Sequence, residues 1–464
     1  MGKFDYEFTN NRKSEVEKFV GIEIYSTPEL VGTGGKYKDD PKDFIVKEIT
    51  KEGKILEIKE DYQSSPFLDG KDYFTTFNLV KINKVTFDAI NQVARGLRIP
   101  TSIISYSGLK DKTSISVQKA SIRGNYVNKL KSLNLKDIFI RSITPTKKPV
   151  TLGSNRGNHF EITIRNIHPR ENLKQDIEEL ISKLKKDGFP NYYGLQRFGK
   201  YRPNSHIVGK HILNENFKEA FNEFVCNIYS LESKSVSKHR RRIKKTLNEG
   251  RDLEKAFVNF PRGLNYEYNL INYLINHPED YEGAIRSLSD DLISLLINSF
   301  QSFLFNKMLS LRVKSGYPLN QPIKGDVISI LDEVRGRLTD IKYVYNDLYM
   351  DHLDYVLNMN RGSLVIPLVG YKTNVDDFPL MSRFFKEIIK EENISMNIFD
   401  SPLLNEYELK GAVRPMLVKP IGLRINDFEE DDRYTGKKKL KVEFSLPGGC
   451  YATMLLRELM KETH

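Results

Sequence analysis

The chain has 464 residues, 39% of them hydrophobic and 11% aromatic, and its formal net charge is +11. This length predicts two or more globular domains, and the excess of positive charge indicates a polyanionic partner, either nucleic acid or an anionic membrane surface. The sequence has no run of 18 apolar residues that would indicate a membrane segment. Its two cysteines are too few for a disulfide framework or a cysteine-based zinc site, and so low a cysteine content is typical of proteins of the reducing cytoplasm.

The first part of the chain alternates predicted strands and helices. Predicted strands cover residues 43–49, 54–58, 73–82, 117–122 and 159–167, with 54–58 as the hairpin partner of 43–49. Thr86 is expected to cap a helix that ends before Pro100, and residues 173–184 form an amphipathic helix closed by Gly188 and Pro190. Because several strands come as hairpins, we predict an α+β fold with helices packed on a sheet.

After about residue 215 the pattern is mainly helical. Residues 284–312 show an almost continuous helical pattern, and short strands are predicted between residues 322 and 370. A final strand over residues 440–446 precedes a closing helix that begins near Ala452.

A candidate catalytic carboxylate lies in the segment Ser-Tyr-Ser-Gly-Leu-Lys-Asp-Lys-Thr, residues 105–113, which follows an apolar run. Asp111 is placed between Lys110 and Lys112, and nearby cations favour an ionised carboxylate. Gly108 would allow a sharp turn. Such a turn is usually no more than polar surface, but a strand that begins at Ser114 would fix the carboxylate. An ionised, fixed aspartate suits nucleophilic or base chemistry on a polyanion.

Two further segments have the composition of a nucleotide site. Residues 190–199 read Pro-Asn-Tyr-Tyr-Gly-Leu-Gln-Arg-Phe-Gly, which suits contact with a planar base, although the aromatics could simply fill space after a helix. Residues 32–44 read Gly-Thr-Gly-Gly-Lys-Tyr-Lys-Asp-Asp-Pro-Lys-Asp-Phe. This is not a phosphate loop, because Lys36 is followed by Tyr37 rather than by serine or threonine.

Together these segments resemble the motifs of the TruD family of pseudouridine synthases, and residues 300–306 and 444–459 resemble two later family motifs. The resemblance spans roughly residues 30–460. It implies that Asp111 is the catalytic aspartate and Phe44 a wall of the pocket. Lys38 matches the active-site lysine, with Lys36 as the alternative. Asn191 and Tyr193 match the residues that line the uridine pocket, where the family usually carries phenylalanine in place of Tyr193.

The resemblance also implies the architecture and the activity. A pseudouridine synthase core, a mixed and mostly antiparallel sheet flanked by helices, would comprise residues 1–215 and 412–464, with an α/β insertion domain over 216–411. The expected activity is conversion of a tRNA uridine, with position thirteen of the D arm as the leading target, and with Asp111 as nucleophile or base. Neither a cofactor nor a metal is implied, and no obligate protein partner is evident. Other RNAs stay possible substrates, and the alternative is a catalytically silent RNA-binding or RNA-remodelling protein on the same fold.

The densest positive charge lies in residues 238–245, Lys-His-Arg-Arg-Arg-Ile-Lys-Lys. We predict that this cluster contacts RNA phosphates, which position a nucleic acid without reading its bases. A solvated helix face is an equally good interpretation. The candidate contact residues are Lys238, Arg240, Arg241, Arg242, Lys244 and Lys245.

Overall fold

The computed structural model describes residues 5–8, 13–61, 73–250, 253–257, 260–261, 263–332 and 336–461. The chain forms two compact units, which we call the sheet unit (residues 26–189 and 418–464) and the helical unit (residues 1–25 and 190–417). The predicted domain limits at 215/216 and 411/412 come from a family resemblance and stay a prediction, whereas the compact units divide the chain at 25/26, 189/190 and 417/418.

The sheet unit is built around one eight-stranded sheet. Its strands are β1 (Phe44–Ile49), β2 (Phe74–Ile82), β3 (Ile104–Tyr106), β4 (Ile115–Arg123), β5 (Ile138–Thr146), β6 (Gly157–Ile167), β13 (Ile421–Glu430) and β14 (Lys438–Pro447). The order is β13-β14-β6-β1-β4-β2-β5, with β3 paired to β4. Only the β1–β4 pair is parallel, so the predicted mostly antiparallel sheet is confirmed.

Helices of the sheet unit pack on the sheet through apolar faces. They are α2 (Thr86–Leu97), α3 (Val127–Lys131), α4 (Leu173–Asp187) and α15 (Ala452–Met460). One core cluster joins Ile90 and Val93 of α2 to Phe77 of β2 and Ile122 of β4. The apolar residues of α4 recur at helical spacing, and those that the sequence predicts to face the core are all buried, namely Leu173, Ile177, Leu180, Ile181 and Leu184.

Two local predictions in this unit are wrong. Residues 54–58 form no strand; they return beside β1 through an isolated bridge between Ile49 and Ile55, and the sheet partners of β1 are β4 and β6. The side chain of Thr86 does not cap α2, whose N-cap residue is Val85. Thr86 is fully buried and is engaged elsewhere, as described below.

The helical unit contains most of the helices and a small sheet. The helices are α1 (Lys13–Phe19), α5 (Ser205–Leu213), α6 (Phe217–Phe221), α7 (Lys234–Asn248), α8 (Leu253–Phe257), α9 (Asn265–Asn276), α10 (Tyr281–Arg286), α11 (Asp290–Lys314), α12 (Met350–Asn358), α13 (Pro379–Glu391) and α14 (Pro402–Glu406). The four-stranded sheet comprises β8 (Val327–Leu331), β9 (Leu338–Val344), β10 (Gly362–Leu368) and β11 (Ala412–Pro415), in the order β11-β10-β8-β9. Two-residue strands β7 (Phe189–Pro190) and β12 (Leu417–Val418) lie where the chain passes between units.

The long helix α11 is the core element of the helical unit. The predicted helical pattern over 284–312 is divided, because α10 ends at Arg286 and Ser289 precedes the first residue of α11. Most residues of α11 from Ile293 onward are buried, including Gln301 and Asn306. Near its end, Arg312 forms two hydrogen bonds with the fully buried Asp326, of 2.5 and 2.8 Å, so the charge at this buried position is compensated.

Candidate active site

Asp111 lies in the loop between β3 and β4, and its main chain is held from two sides. Its carbonyl oxygen accepts a hydrogen bond from the Lys81 ammonium at 2.6 Å and from the Ser114 hydroxyl at 2.8 Å. The side chain of Asp111 is 39% exposed, so the carboxylate is open to a ligand while the backbone that carries it is fixed.

The residues just before Asp111 are anchored by α2 and β4. The Lys110 amide donates to Thr86 Oγ1 at 3.0 Å, and Gln118 Nε2 donates to the Gly108 carbonyl at 2.8 Å. The Thr86 hydroxyl in turn donates to Gln118 Oε1 at 3.3 Å. Gly108 is not in the left-handed region, and an added Cβ would meet only the Lys110 ammonium at 4.0 Å, so the loop does not need a glycine for its turn.

Lys110 does not accompany the Asp111 carboxylate as the sequence suggested. Its ammonium lies 3.1 Å from Glu48 Oε2 in an ion pair whose side chains are 4% and 2% exposed. Glu48 also accepts from the Ser107 hydroxyl and, at 3.2 Å, from the Lys119 amide. The alternation of β1 buries Glu48 beside Phe44 and Val46, and a carboxylate at a core-facing strand position is a sequence signal of such a pair.

Lys38 forms an ion pair with the Asp111 carboxylate. Its ammonium lies 3.3 Å from Asp111 Oδ1 and 4.1 Å from the centroid of the Phe44 ring. Phe44 is 1% exposed, so its ring packs against the Lys38 ammonium and does not form an open wall of a ligand pocket. Lys38 has a φ of 63°, an unfavourable conformation for a residue with a side chain, and such strain is common at functional sites.

The loop that carries Lys38 is itself fixed to β6. Lys36 exchanges two backbone hydrogen bonds of 2.7 Å with Arg165, and its ammonium lies 5.5 Å from the Tyr434 ring, so Lys36 is not the lysine at Asp111. Gly35 has a φ of 89°, and a Cβ there would lie 2.5 Å from the Arg165 carbonyl. Arg165 Nε also donates to Asp43 at 2.8 Å, just before β1. Gly35 is therefore required for the close approach of this loop to β6.

Lys81 is a component of this site that the sequence analysis missed. Burial lowers the pKa of its ammonium to about 8, although the nearby Asp111 carboxylate opposes that change. A lysine within a strand as apolar as β2 is the signal that could have found it, because lysine is almost never fully buried without a function or a partner.

In the helical unit, Asn191 is fixed by the chain around β11. Its Nδ2 donates to the Pro415 carbonyl at 3.0 Å, and Arg414 Nη2 donates to its Oδ1 at 2.7 Å. Arg414 Nε also donates to the Asn191 carbonyl at 3.0 Å. Asn191 is 2% exposed, so these contacts favour a role in holding the loop over hydrogen bonding to a base.

Tyr193 presents an aromatic ring beside the same arginine. The Arg414 guanidinium lies 4.0 Å from the ring centroid, and the Phe305 ring packs edge-on at 5.5 Å. Asn306 accepts from the Tyr193 amide at 2.9 Å and donates to its carbonyl at 3.0 Å. Arg414 was not predicted, because nothing in residues 190–199 indicates a partner more than 200 residues away.

The predicted basic cluster lies within α7, and its members differ in exposure. Arg240 is 1% exposed and donates to Glu232 at 3.0 Å and to Glu267 at 2.8 Å, so the prediction that it contacts phosphates is wrong. Lys244 pairs with Asp5 at 2.7 Å. Arg241 is half-buried, and the exposed members, which we call the exposed basic trio, are Lys238, Arg242 and Lys245.

No metal site or membrane segment accompanies these features in the described residues. Over those ranges, no three histidine, cysteine, aspartate or glutamate side chains are grouped so that they could hold a metal ion. None of the described helices combines the length and apolar character that a bilayer crossing requires.

Comparison with known proteins identifies the family to which the chain belongs. The structure matches a crystal structure of a TruD protein from Methanosarcina mazei with a TM-score of 0.76 and 31% identity, over 97% of this chain and 98% of that one, so the fold is that of a pseudouridine synthase. A family model for tRNA pseudouridine synthase D (TruD) matches residues 19–459.

Curated relatives carry the same name. A protein of Methanosarcina mazei named "Probable tRNA pseudouridine synthase D" is 32% identical over 456 residues, covering 96% of this chain and 98% of the relative. A protein of the same name from Archaeoglobus fulgidus is 31% identical over 454 residues, covering 96% of this chain and 99% of the relative. The chain belongs to the tRNA pseudouridine synthase D (TruD) family, whose members are isomerases that act on tRNA.

Proposed function

We propose that this enzyme converts one specific uridine of tRNA to pseudouridine, that position thirteen of the D arm is its target, and that Asp111 is the nucleophile or base. The observation that carries the proposal is the Lys38–Asp111 ion pair of 3.3 Å on two anchored loops. The choice of position thirteen rests on the family resemblance. A tRNA-modifying enzyme works where tRNA is found, and we therefore propose a cytoplasmic location.

The reaction breaks the N-glycosidic bond, turns the uracil and joins it again to the sugar through carbon. It is an isomerisation, so the atoms of product and substrate balance without an added group. An enzyme that acts on a base in a folded RNA must first take that base out of its stack. The exposed Asp111 carboxylate would then react at the sugar or the base, with its charge supported by Lys38.

The other predicted site residues have supporting roles in this proposal. Phe44 acts through Lys38, because its buried ring lies 4.1 Å from that ammonium. Tyr193 supplies an aromatic surface for the uracil, a type of contact worth about 1–3 kcal/mol per base. Asn191 keeps the loop of Tyr193 in place through its bonds to Arg414 and Pro415.

The exposed basic trio of α7 contacts phosphates in this proposal. The trio is solvent-exposed, whereas Arg240 on the same helix is buried between two glutamates. Phosphate contacts would hold tRNA without reading its sequence.

Site-specific mapping of pseudouridine by mass spectrometry tests the proposal. Purified wild-type protein and Asp111→Asn are incubated with pre-folded tRNA, and Asp88→Asn, which changes an exposed aspartate on α2, is the matched control. We expect product at one uridine for the wild type and the control, and none for Asp111→Asn, which should still bind tRNA. Product at another position would refute position thirteen. Turnover by Asp111→Asn above a few per cent would refute the role of Asp111, and a wild type that only binds tRNA would favour the silent alternative.

A further inference from the structure

The ammonium of Lys81 is buried in an unusual way. Lys81 belongs to β2, is 0% exposed, and donates to the Asp111 carbonyl at 2.6 Å. In the described part of the chain, no carboxylate lies within the 4.0 Å of an ion pair with it. Burial of an ammonium without a carboxylate partner is costly, so a role in stability alone does not explain this lysine.

The hydrogen bond itself does not require a lysine. The Asp111 carbonyl already accepts from the buried Ser114 hydroxyl at 2.8 Å. An apolar residue at position 81 would suit the core-facing environment of β2, where Leu79 and Val80 are buried. What an apolar residue could not supply is a positive charge on the interior side of the Asp111 loop.

We propose that Lys81 is a positioning residue for Asp111, which holds the main chain of this residue and places a second positive charge, besides Lys38, close to its carboxylate. The inference rests on the proposed catalytic role of Asp111. A carboxylate that must react while ionised gains from a charge that is fixed in place and shielded from water, because such a charge needs no reorganisation during the reaction.

The charges around Lys81 make this role dependent on pH. Burial lowers the pKa of its ammonium to about 8, the Asp111 carboxylate opposes this, and the cations Lys110 and Lys38 add to it. Glu48 pairs with Lys110 and so offsets part of that repulsion. As the pH rises through about 8, Lys81 becomes neutral; a neutral amine still donates to the carbonyl, so the bond persists and only the charge is lost.

The decisive measurement is the single-turnover rate between pH 6.5 and 9.5, with excess enzyme and pre-folded tRNA. We expect the wild-type rate to fall on the alkaline side with a midpoint near pH 8. For Lys81→Met we expect a rate about ten- to a hundredfold lower near pH 7, no fall with that midpoint, and a dissociation constant for tRNA within about twofold of the wild type. A fall that comes from the uracil or the RNA would persist in the variant.

Ser114→Ala is the matched control, because it removes the other donor to the same carbonyl and leaves the charge. It should slow the reaction by less than about tenfold and keep the alkaline fall. If Lys81→Met does not fold, the profiles of the wild type and Ser114→Ala decide: an alkaline fall near pH 8 in both supports the inference, and a flat wild-type profile overturns it.

The other outcomes separate this inference from the proposed function. Wild-type rates in Lys81→Met, or lower rates with the same alkaline fall, would overturn the role of Lys81. If Asp111→Asn is inactive in the same assay, the role of Asp111 stands whatever Lys81→Met does. An active Asp111→Asn would overturn both.

Discussion

The buried pair of Glu48 and Lys110 gives the sharpest prediction for stability. Glu48→Gln keeps the size of the side chain but removes its charge, and places an amide group where Glu48 now accepts from three donors. Breaking one partner of a buried ion pair costs about 3–5 kcal/mol, because the other charge stays buried and uncompensated. Lys110 would be that charge, one residue before Asp111.

Glu57 provides a matched control on the same unit. Its carboxylate lies 2.7 Å from Lys47, closer than the 3.1 Å of the buried pair, but its side chain is 50% exposed. Lys47 would also keep Glu161 at 2.8 Å. Glu57→Gln should therefore cost about 0–1 kcal/mol, the range of surface ion pairs. The comparison separates the effect of burial from that of distance.

Hydrogen exchange of the β1 and β4 amides is the suitable assay, because a chain with two compact units need not unfold in one step. A loss of about 3 kcal/mol corresponds to exchange faster by about a hundredfold or more, since each 1.4 kcal/mol is about tenfold. The double variant Glu48→Gln, Lys110→Met removes both charges and should recover most of the loss. Equal exchange in Glu48→Gln and Glu57→Gln would refute the reasoning.

Three further predictions concern the remaining parts of the molecule. The pKa of Lys81 is about 8 in the folded chain and 10.5 in the unfolded chain, so the unfolded chain binds more protons between these values. The free energy of unfolding of the wild type should therefore rise relative to that of Lys81→Met, by up to about 3 kcal/mol between pH 8 and 10.5. Denaturant unfolding measured for both proteins over this range checks it, and a free-energy difference that does not change with pH would contradict it. Tyr193→Phe should leave kcat/KM nearly unchanged, whereas Tyr193→Ala should lower it about ten- to a hundredfold by loss of a stack, and equal damage would exclude the ring as the working group. Replacing the exposed basic trio by glutamine should make the salt dependence of tRNA binding shallower by about two units, with little change in stability. Arg240→Met should instead destabilise the helical unit, because two glutamates whose side chains are 6% and 10% exposed lose this partner. An unchanged salt dependence in the trio variant and a shallower one in Arg240→Met would show that exposure is a poor guide to phosphate contacts.

The sequence was a good guide to elements whose side chains alternate clearly. Strand β6 and helix α4 were predicted because each buries one apolar face, and that pattern is local. The predicted strand at 54–58 does not form, because β6 takes one edge of β1 and β4 takes the other over residues 45–47. Residues 54–56 therefore pair only with the end of β1, through the Ile49–Ile55 bridge and the hydrogen bond from the Leu56 amide to the Glu48 carbonyl, a result that no local pattern contains.

The site was predicted only in part, because contacts between distant segments are not visible in a local pattern. The family motifs pointed to Asp111 and Lys38, whose charged groups lie 3.3 Å apart in the structure, whereas adjacency in sequence wrongly paired Lys110 with the Asp111 carboxylate. A side chain next to a carboxylate along a loop can point to the opposite side, as Lys110 does toward Glu48. The run of charges in α7 likewise gave no sign that Arg240 faces inward, because its acidic partners come from Glu232 and Glu267 outside the run.

The way the Asp111 loop is anchored has a practical consequence. Its supports reach main-chain atoms: the Gly108 carbonyl, the Lys110 amide and the Asp111 carbonyl. None of these three hydrogen bonds depends on which side chain occupies position 111; only the ion pair with Lys38 does. An inactive Asp111→Ala protein should thus keep the shape of the loop and bind unreacted tRNA, which makes it a suitable reagent for capturing the substrate complex for crystallography or cryo-electron microscopy.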